Sequence, residues 1–311
     1  MILIVNINPS LDVIFYTKGF HKSKVNRSYK EEIVPGGKGI NVAKTLKAFG
    51  EEVKVIGFCG GSTGIILKEE LKKRNIDYEL VEIKGKTRFA IGIKEDKKKE
   101  FTVLNGSGDK INEEEWNSFF KIFKENLENA KIVIISGSIP PETPTEIYAL
   151  MLKEIKKNPK ILRVLDARDN VLKEALKESP DIVKPNKEEM ENLLSKKLKN
   201  KNDYIYAIRY LRSFNIKYPL ISLSKKGALI GIEEGIYKAT LPPNDGIQWG
   251  TGDSFLAGFI FGLKNYQDPF EAIKLACASG YVKTKYPEII DKQQIKEIFI
   301  LKDKVKVKRL C

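Results

Sequence analysis

The chain has 311 residues, of which 42% are hydrophobic and 31% are charged, so it can bury a large core as one large α/β domain or two small ones. Its formal net charge is +14, and its composition excludes collagen, low-complexity disorder and disulfide-rich scaffolds. Cys59, Cys277 and Cys311 lack metal-binding spacing and favour a reducing cytoplasm over secretion, and the single histidine, His21, excludes zinc sites built on several histidines.

Strand-like and helix-like runs alternate along the chain. The predicted strands cover 2–7, 53–58, 78–83, 132–135, 161–165, 182–184 and 220–223. Helical patterns lie between them, with apolar residues at helical spacing over 41–49, 113–127 and 143–155. This alternation predicts an α/β fold with a mostly parallel central sheet and helices on both faces. The start of the chain lacks the basic segment of a signal peptide, and no run of about 20 apolar residues predicts a membrane span.

Two pairs of strand-like runs interrupt this alternation, because no helix separates their members. They cover 12–16 with 27–34, and 88–94 with 100–104. We expect them to form a small antiparallel sheet that acts as a lid beside the carboxyl ends of the parallel strands. The chain is therefore predicted to be a single α/β domain over 1–311, with a β lid formed by about 12–34 and 86–105.

A glycine-rich run, GGKGIN (36–41), leads directly into a helical pattern. Its glycines let the backbone approach a ligand, and the free N–H groups of the helix start suit an anion or hydroxyl groups. An ordinary turn before a helix is the alternative interpretation. The run does not match the dinucleotide-binding fingerprint, which requires Gly or Ala where this chain has Val42.

A second glycine turn, GTGD (250–253), opens the most apolar helical pattern of the chain. The N–H groups of the turn can bind phosphate oxygens, and Asp253 can accept a proton from an attacking hydroxyl. The alternative is that Asp253 is present because acidic residues stabilise helix starts. Gly258 and Gly262 are four residues apart and predict the close approach of another helix.

Two further signals are weaker on their own. Asn186 and Glu189 follow a predicted strand; Asn caps helices well, and both residue types can bind magnesium through water. In SLSKKG (222–227), a predicted strand ends in a glycine turn.

Taken together and in order, these runs resemble the ribokinase-like sugar kinases, also called the PfkB family. The nearer match is the branch of 1-phosphofructokinases and tagatose-6-phosphate kinases. The resemblance covers the whole chain and is carried by NPSLD (8–12), GGKGINVA (36–43), GFCGG (57–61), TR (87–88), SGSIPP (136–141), LD (165–166), KPNKEE (184–189), SLSKKGA (222–228) and GTGDSFLAG (250–258). It implies a ribokinase-like fold and an ATP- and magnesium-dependent phosphotransferase.

The resemblance also implies a role for individual residues. Asp253 would be the catalytic base, and Gly250, Thr251 and Gly252 would form an anion hole for the transferred phosphoryl group. The implied sugar contacts are Asp12, Arg27, Gly37, Lys38, Asn41, Arg88 and Ser138, with Arg27, Lys38 and Arg88 on the phosphate that the sugar already carries. The implied ATP contacts are Lys184, Asn186, Ser222, Ser224, Gly227 and Gly252, and Asn186 and Glu189 would hold magnesium through water.

The chain departs from the family pattern at several positions. The family usually has glycine where this chain has Ser224 and Glu142, and often alanine where it has Thr251. The common Leu-Asp-Thr/Ser-Ser/Thr-Gly run is LDARD (165–169) here. The departures at Glu142 and in LDARD affect substrate contacts and leave the proposed base and anion hole untouched.

The resemblance implies a ketohexose monophosphate as substrate. Lys38, together with Arg27 and Arg88, favours a phosphorylated sugar, because family members that act on free ribose or adenosine need no cation at the position of Lys38. We expect conversion of fructose 1-phosphate to fructose 1,6-bisphosphate, with tagatose 6-phosphate or fructose 6-phosphate as alternative substrates of the same family. A non-catalytic sugar-phosphate-binding regulator is the alternative from another class. The lysines are not interleaved with aromatic residues, so we expect neither a specific nucleic acid nor a membrane as partner.

The resemblance further implies a homodimer joined through its lids. An isolated lid sheet leaves strand edges and an apolar face to cover. We expect the covered surface to include Ile14, Phe15, Phe89 and Ile91.

Overall fold

The computed structural model of the protein describes residues 1–97, 100–286, 288 and 291–311. Its strands are β1 (Ile2–Asn6), β2 (Ser10–Thr17), β3 (Lys30–Gly36), β4 (Val53–Cys59), β5 (Asp77–Glu82), β6 (Arg88–Glu95), β7 (Glu100–Asn105), β8 (Ile132–Ser136), β9 (Leu162–Asp166), β10 (Ile182–Val183), β11 (Tyr218–Ser222), β12 (Ala228–Ile232), β13 (Gly235–Thr240) and β14 (Lys306–Arg309). Its helices are α1 (Lys38–Ala48), α2 (Gly61–Lys73), α3 (Glu113–Leu127), α4 (Ile147–Ile155), α5 (Asp169–Leu176), α6 (Lys187–Leu194), α7 (Lys201–Arg212), α8 (Thr251–Tyr266), α9 (Pro269–Lys283) and α10 (Lys292–Lys302). Within these described residues, no helix combines the length and the apolar character that crossing a bilayer requires.

The main sheet has the strand order β14–β13–β12–β11–β10–β9–β8–β1–β4–β5. The strands from β11 to β5 in this order run parallel. Strands β1 and β8 are buried along their whole length, as expected where helices cover both faces of a parallel sheet. The prediction of an α/β fold with a mostly parallel central sheet is confirmed.

The predicted strands lie within two residues of the observed ones, but some boundaries and elements differ. The helix predicted over 143–155 begins only at Ile147, because the preceding residues form a turn in which the Ile147 N–H donates to the Pro144 carbonyl at 3.1 Å. The sequence analysis did not predict β12, β13 or β14, which add an antiparallel edge to the main sheet.

A separate small sheet has the strand order β3–β2–β6–β7. The β2–β3 and β6–β7 pairs are antiparallel, and β2 and β6 join them side by side as a parallel pair. The prediction of a small sheet made from these two strand pairs is confirmed. Lys98 and Lys99, which belong to its predicted range, lie outside the described residues.

The two faces of the small sheet have different surroundings. The inner face packs Ile14 in a cluster with Phe101 and Trp249, whose ring centroids are 5.0 Å apart. The prediction for Ile14 is therefore wrong: it is 3% exposed and turned inward, because side chains alternate along a strand. On the outer face, Phe89 is 45% exposed.

The core lies on both faces of the main sheet. Along β1, Leu3 and Val5 belong to one large hydrophobic cluster, while Ile2 and Ile4 belong to the other. This alternation follows from the two-residue period of a strand, and it leaves the carboxyl ends of the strands free for polar residues.

Helices α8 and α9 pack closely against each other. A Cβ atom on Gly258 would lie 2.4 Å from Ser279 Oγ, and one on Gly262 would lie 2.6 Å from Ala272 Cα. Only glycine fits at these distances, so the predicted close approach of a second helix is confirmed. The packing holds the start of α8 near the end of α9.

Candidate active site

A cleft of about 930 Å³ lies at the carboxyl ends of the parallel strands and is bordered by residues of the small sheet. Open α/β sheets bind ligands at this end of their strands. The predicted site residues that line it are Asp12, Gly37, Lys38, Asn41, Arg88, Ser138, Lys184, Asn186, Glu189, Ser222, Ser224, Gly227, Gly250, Thr251, Gly252 and Asp253. The remaining one, Arg27, is exposed in the segment between β2 and β3 and does not line the cleft.

The residues 250–252 form the turn that starts α8, here called the phosphoryl turn after the role that the sequence resemblance implies for it. Gly250 is the N-cap and has φ 69°, in the left-handed region that favours glycine. The N–H groups of Gly250, Thr251 and Gly252 have no partner inside the helix, because the first N–H groups of any helix precede its hydrogen-bond ladder. The turn therefore presents hydrogen-bond donors to the cleft.

Asp253 follows the phosphoryl turn and is 6% exposed. Its Oδ2 accepts a hydrogen bond from Asn41 Nδ2 at 2.8 Å, which ties α8 to α1. Burial, and then the negative charge of Asp166, raise the pKa of Asp253, while Lys38 and Lys184 oppose this change. A carboxylate in this position is a stronger proton acceptor than one on the protein surface.

Two lysines and two carboxylates form a cluster beside Asp253, in which Asp166, Lys184 and Glu189 are buried and Lys38 is half-buried. Lys38 Nζ lies 3.1 Å from Asp166 Oδ1 and 3.3 Å from Glu189 Oε1, and Lys184 Nζ lies 3.2 Å from Asp166 Oδ2. Burial alone lowers the pKa of Lys38, but Asp166 and Glu189 raise it well above its usual range. Burial raises the pKa of Asp166, but Lys184 and Lys38 outweigh it and lower the pKa. Lys38 and Asp166 therefore stay charged at neutral pH.

Asn186 and Glu189 form a capping box at the start of α6. Asn186 Oδ1 accepts from the Glu189 N–H, and Glu189 Oε2 accepts from the Asn186 N–H, both at 2.8 Å. Among the described residues, no group of three or more His, Cys, Asp or Glu side chains could hold a metal ion. Two oxygen-bearing side chains on a cleft wall fit magnesium, which keeps most of its waters and binds substrate phosphates rather than a protein cage.

Asp12 lies on β2 at the opposite side of the cleft and is 4% exposed. Ser10 Oγ donates to its Oδ1 at 2.5 Å, and a Cβ atom on Gly36 would lie only 1.9 Å from that oxygen. Burial raises the pKa of Asp12. Ser138 is held near the same region, where its Oγ accepts from Asn8 Nδ2 at 3.2 Å. These groups offer hydrogen bonds of the kind that sugar hydroxyls require.

Two guanidinium groups line the cleft without strong neutralisation. Arg88 donates to the Asn8 carbonyl at 3.1 and 3.2 Å and to the Gly106 carbonyl at 3.2 Å. Arg168 has a 63% exposed side chain and contacts only the carboxylate of its neighbour Asp169, at 3.5 Å, among the ion pairs of the described residues. Burial lowers the pKa of Arg88. The negative charge of Asp12 opposes this change, and the positive charge of Arg168 adds to it.

The sequence analysis gave Arg168 no role, because it stands where the family pattern has a small hydroxyl residue. In the structure, Arg168 is the N-cap of α5 and lines the cleft, which the sequence alone does not show. The sequence analysis also gave no role to Asp166, although this residue belongs to one of the motifs. The structure places it between Lys38 and Lys184.

The far end of the cleft is formed by the residues after β11. Ser222 ends the strand, and Ser224 adopts φ 53° and donates through Oγ to Gln248 Oε1 at 3.1 Å. Gly227 has φ 89°, and a Cβ atom there would lie 2.0 Å from the Ala239 carbonyl oxygen. This end of the cleft is therefore linked to the segment that leads into the phosphoryl turn.

Comparisons with known proteins agree over the length of the chain. Residues 3–295 match the profile of the pfkB family carbohydrate kinases. The chain is 30% identical over 312 positions to 1-phosphofructokinase of Bacillus subtilis, with 100% of both chains covered. It is 32% identical over 307 positions to tagatose-6-phosphate kinase of Staphylococcus epidermidis, covering 96% of this chain and 97% of the relative. The structure matches that of phosphofructokinase-2 from Escherichia coli in complex with fructose-6-phosphate with a TM-score of 0.87 at 26% identity, covering 96% and 98% of the two chains.

Proposed function

The chain belongs to the pfkB family of carbohydrate kinases, and on that premise we propose that it is an ATP- and magnesium-dependent kinase of a ketohexose monophosphate. The proposed reaction converts fructose 1-phosphate to fructose 1,6-bisphosphate. The observation that carries the proposal is the buried Asp253 carboxylate, held by Asn41 directly after a turn of free N–H groups and facing a cleft that is also lined by the guanidinium groups of Arg88 and Arg168.

In the proposed reaction, Asp253 accepts the proton of the sugar hydroxyl as that oxygen attacks the γ-phosphorus of ATP. The bond from the γ-phosphorus to the bridging oxygen breaks, and ADP leaves with that oxygen. The N–H groups of Gly250, Thr251 and Gly252 donate to the oxygens of the transferred phosphoryl group. Phosphoryl transfer depends mainly on positioning and charge stabilisation, so one base and a set of donors suffice.

Lys38 and Lys184 supply positive charge next to this step. Because Lys38 is held by Asp166 and Glu189 beside Asp253, we assign it to the transferred phosphoryl group in preference to the phosphate on the sugar. Its carboxylate partners fix the position of the ammonium, so that no reorganisation is needed when negative charge develops.

Magnesium would be held by Asn186 and Glu189 through water, and when bound it would neutralise charge on the phosphates of ATP. The capping box already fixes both side chains. Glu189 Oε1 also pairs with Lys38, so a water on this carboxylate would link the metal region to the ammonium group of Lys38.

Arg88 and Arg168 support a phosphorylated substrate. Both line the cleft, and Arg168 adds to the lowering of the Arg88 pKa, which indicates that their positive charges are close enough to repel. A dianionic phosphate between them would remove this repulsion and accept charge-assisted hydrogen bonds. Arg27 has no such place in the cleft of one chain.

A tagatose-6-phosphate kinase is the second candidate, favoured by the 32% identity to the Staphylococcus epidermidis relative. Both candidate substrates are ketohexose monophosphates, and the cleft offers a base and cations suited to each. The phosphoryl turn with its buried acid argues against a non-catalytic regulator, since binding alone does not require a proton acceptor.

We also propose that residues 1–311 act as one domain and that two copies associate through the outer faces of their small sheets. The apolar exposure of Phe89 on that face supports the association. Strands at a sheet edge also leave backbone groups that a partner can cover.

The test is a substrate panel of fructose 1-phosphate, fructose 6-phosphate, tagatose 6-phosphate and unphosphorylated fructose, with ADP release as the readout. We expect the highest kcat/KM for fructose 1-phosphate and at least about a tenfold preference over fructose, because each charge-assisted hydrogen bond contributes about 1.5–3 kcal/mol. If kcat/KM is highest for tagatose 6-phosphate, the protein is a tagatose-6-phosphate kinase, the second candidate. Ligand-induced thermal stabilisation without any ADP release would identify a regulator.

A further inference from the structure

Lys283 is a buried lysine that the proposed reaction does not yet use. It lies in the last turn of α9, and only 7% of the residue is exposed. Lysine is almost never buried to this degree unless its charge has a partner. The surroundings of its ammonium group therefore indicate what it does.

The partners of Lys283 are backbone carbonyls. Its Nζ donates to the Trp249 carbonyl at 2.9 Å and to the Tyr286 carbonyl at 3.3 Å. A Cβ atom on Gly250 would lie 3.3 Å from Lys283 Cε and 3.5 Å from Nζ. The ammonium thus lies directly against the residue that begins the phosphoryl turn.

The charges around Lys283 come from several elements. Lys44 of α1 opposes its positive charge, and Asp253 of α8, Glu288 and Asp12 of β2 favour it. None of these carboxylates forms an ion pair with Lys283 in the part of the chain that the structure describes. Glu288 pairs instead with Lys44, at 2.8 Å. The direct stabilisation of the ammonium therefore comes from the two carbonyls.

We propose that Lys283 is a positioning residue for phosphoryl transfer, whose ammonium holds the Trp249 carbonyl and thereby aims the N–H groups of the phosphoryl turn at the transferred phosphoryl group. The inference rests on the proposed kinase function of the same cleft. It adds a cation that acts through the backbone and does not touch substrate.

The geometry of the peptide unit explains how this works. The Trp249 carbonyl and the Gly250 N–H belong to one planar peptide group, and in the trans form they point in opposite directions. A cation fixed on the carbonyl side consequently directs the N–H to the other side. Withdrawal of electrons by the ammonium also makes that N–H a stronger donor. Gly250 permits the required φ of 69° and leaves room for the lysine.

The first test replaces Lys283 by methionine, which keeps the length and removes the charge. We expect kcat to fall by about 10- to 100-fold with KM for ATP and sugar phosphate within about threefold, because a misplaced donor in an anion hole acts on the transition state. The matched control is Lys274→Met on the same helix, where Lys274 pairs with Glu271 at 2.8 Å away from the cleft. A K283M enzyme with kcat within twofold of wild type at pH 7 would overturn the proposal.

The second test separates the charge from packing. Lys283→Ala leaves space between the two carbonyls, and ammonium chloride should restore a measurable part of kcat. Tetramethylammonium chloride at the same ionic strength should not, because it cannot donate hydrogen bonds. Equal effects of the two salts, or no effect of ammonium, would contradict a role of the cation.

The third test uses pH. Burial, and then the charge of Lys44, lower the pKa of Lys283 to about 8. Wild-type kcat should therefore fall as pH rises through about 8, and this alkaline fall should be absent from K283M. The stability of the folded state should not fall over the same pH range. A lysine whose pKa is lowered on folding contributes more favourably to the free energy of unfolding as the pH rises above 8. If kcat of K283M falls over the same alkaline pH range, the fall is caused by the deprotonation of a group other than Lys283.

These results can be told apart from failure of the proposed function. If the wild-type protein turns over no sugar phosphate of the panel, the kinase function itself is wrong. If the wild type is active and the Lys283 variants behave like Lys274→Met, only the present inference is wrong.

Discussion

The surroundings of Asp253 include features that helix capping alone would not need. Its hydrogen bond comes from the Asn41 side chain at 2.8 Å, and burial beside Asp166 raises its pKa. A carboxylate whose pKa is raised on folding costs stability once the pH exceeds its usual value. The molecule therefore keeps this acid at a cost in stability, which favours a chemical role over the capping interpretation.

Replacing Asp253 by asparagine should lower kcat at least about a hundredfold, since general-base catalysis contributes about 10²–10⁴-fold. Affinity for ATP and sugar phosphate should change little, because the shape is preserved. The melting temperature at pH 7 should stay the same or rise, since an uncharged group replaces a buried charge. Near-normal turnover with a loss of up to about 1 kcal/mol in stability would instead favour capping.

Replacing Arg88 by alanine should lower kcat/KM for fructose 1-phosphate by about 10- to 150-fold, the loss of one charge-assisted contact. KM for ATP should change by less than about twofold. Arg209→Ala on the exposed side of α7 is the matched control. Because Arg88 also binds the Asn8 and Gly106 carbonyls, the melting temperature must be measured for both variants. Unchanged kinetics with fructose 1-phosphate would remove Arg88 from the phosphate site.

Sequence patterns predicted those site residues that stand next to glycines in contiguous runs, such as Lys38 and Asp253. The neighbouring glycines are visible in the sequence and mark these positions. Lys283 and Arg168 carry no such signal, because their positions depend on which helix packs beside them. Lys283 reaches the phosphoryl turn only because α9 lies close against α8.

Among the non-glycine residues that adopt the left-handed region, three are of special interest: Glu142 (φ 60°), Asp169 (φ 55°) and Ser224 (φ 53°). These are the positions at which the family pattern usually has glycine. The backbone therefore keeps the left-handed conformation although glycine, the residue that favours it, has been replaced. A residue with a Cβ atom in this conformation lowers the stability of the fold by about 1–2 kcal/mol. Asp tolerates this conformation better than Glu or Ser, so Glu142 should carry the larger cost.

Replacing Glu142 by glycine should therefore stabilise the protein by about 0.5–1 kcal/mol, since the greater freedom of glycine in the unfolded chain offsets part of the gain. Its only ion pair among the described residues, with Lys110 at 3.8 Å, joins two side chains that are each 72% exposed and contributes little. Urea denaturation measures the change. Glu142→Ala is the control, because it removes the side chain and keeps the strain. Equal stability of the two variants would contradict the strain.

The central sheet could be predicted because each parallel strand is an apolar run bounded by a helix pattern. Strands β12, β13 and β14 escaped prediction because they form an antiparallel edge, where the helix signal that marks neighbouring units is missing. Strands β13 and β14 are also only partly buried, so their apolar pattern is weak, whereas β12 is buried throughout. The face of the small sheet on which Ile14 lies is buried only because that face is turned towards Phe101 and Trp249. The local sequence pattern does not show which of the two faces is turned inward.

The outer face of the small sheet carries an apolar row across all four strands. Val13 pairs with Ile33 on one side and Ile91 on the other, and Ile91 pairs with Leu104. Directly opposed residues in a sheet lie on the same face. Ile33 is 48% and Leu104 is 68% exposed, so a monomer would leave this row in water.

Light scattering at micromolar concentration should consequently return twice the mass of the chain. Leu104→Glu should return the monomer mass, because it places a charge in the most exposed part of this apolar row. Ile65→Glu on α2 is the control, since Ile65 is also 58% exposed but lies away from the row. A wild-type monomer, or equal masses for both variants, would refute the association through this face.

Trp249 joins two parts of the molecule that have been described separately. Its ring lies against Phe101 of the small sheet, while its carbonyl is bound by Lys283 at the start of the phosphoryl turn. The other tryptophan of the chain, Trp116, is enclosed by Phe58 and Phe119 on the far side of the main sheet. The chain therefore contains its own optical probe: we expect the emission of Trp249 to respond to changes in both the small sheet and the phosphoryl turn, while that of Trp116 provides an internal reference in the same spectrum.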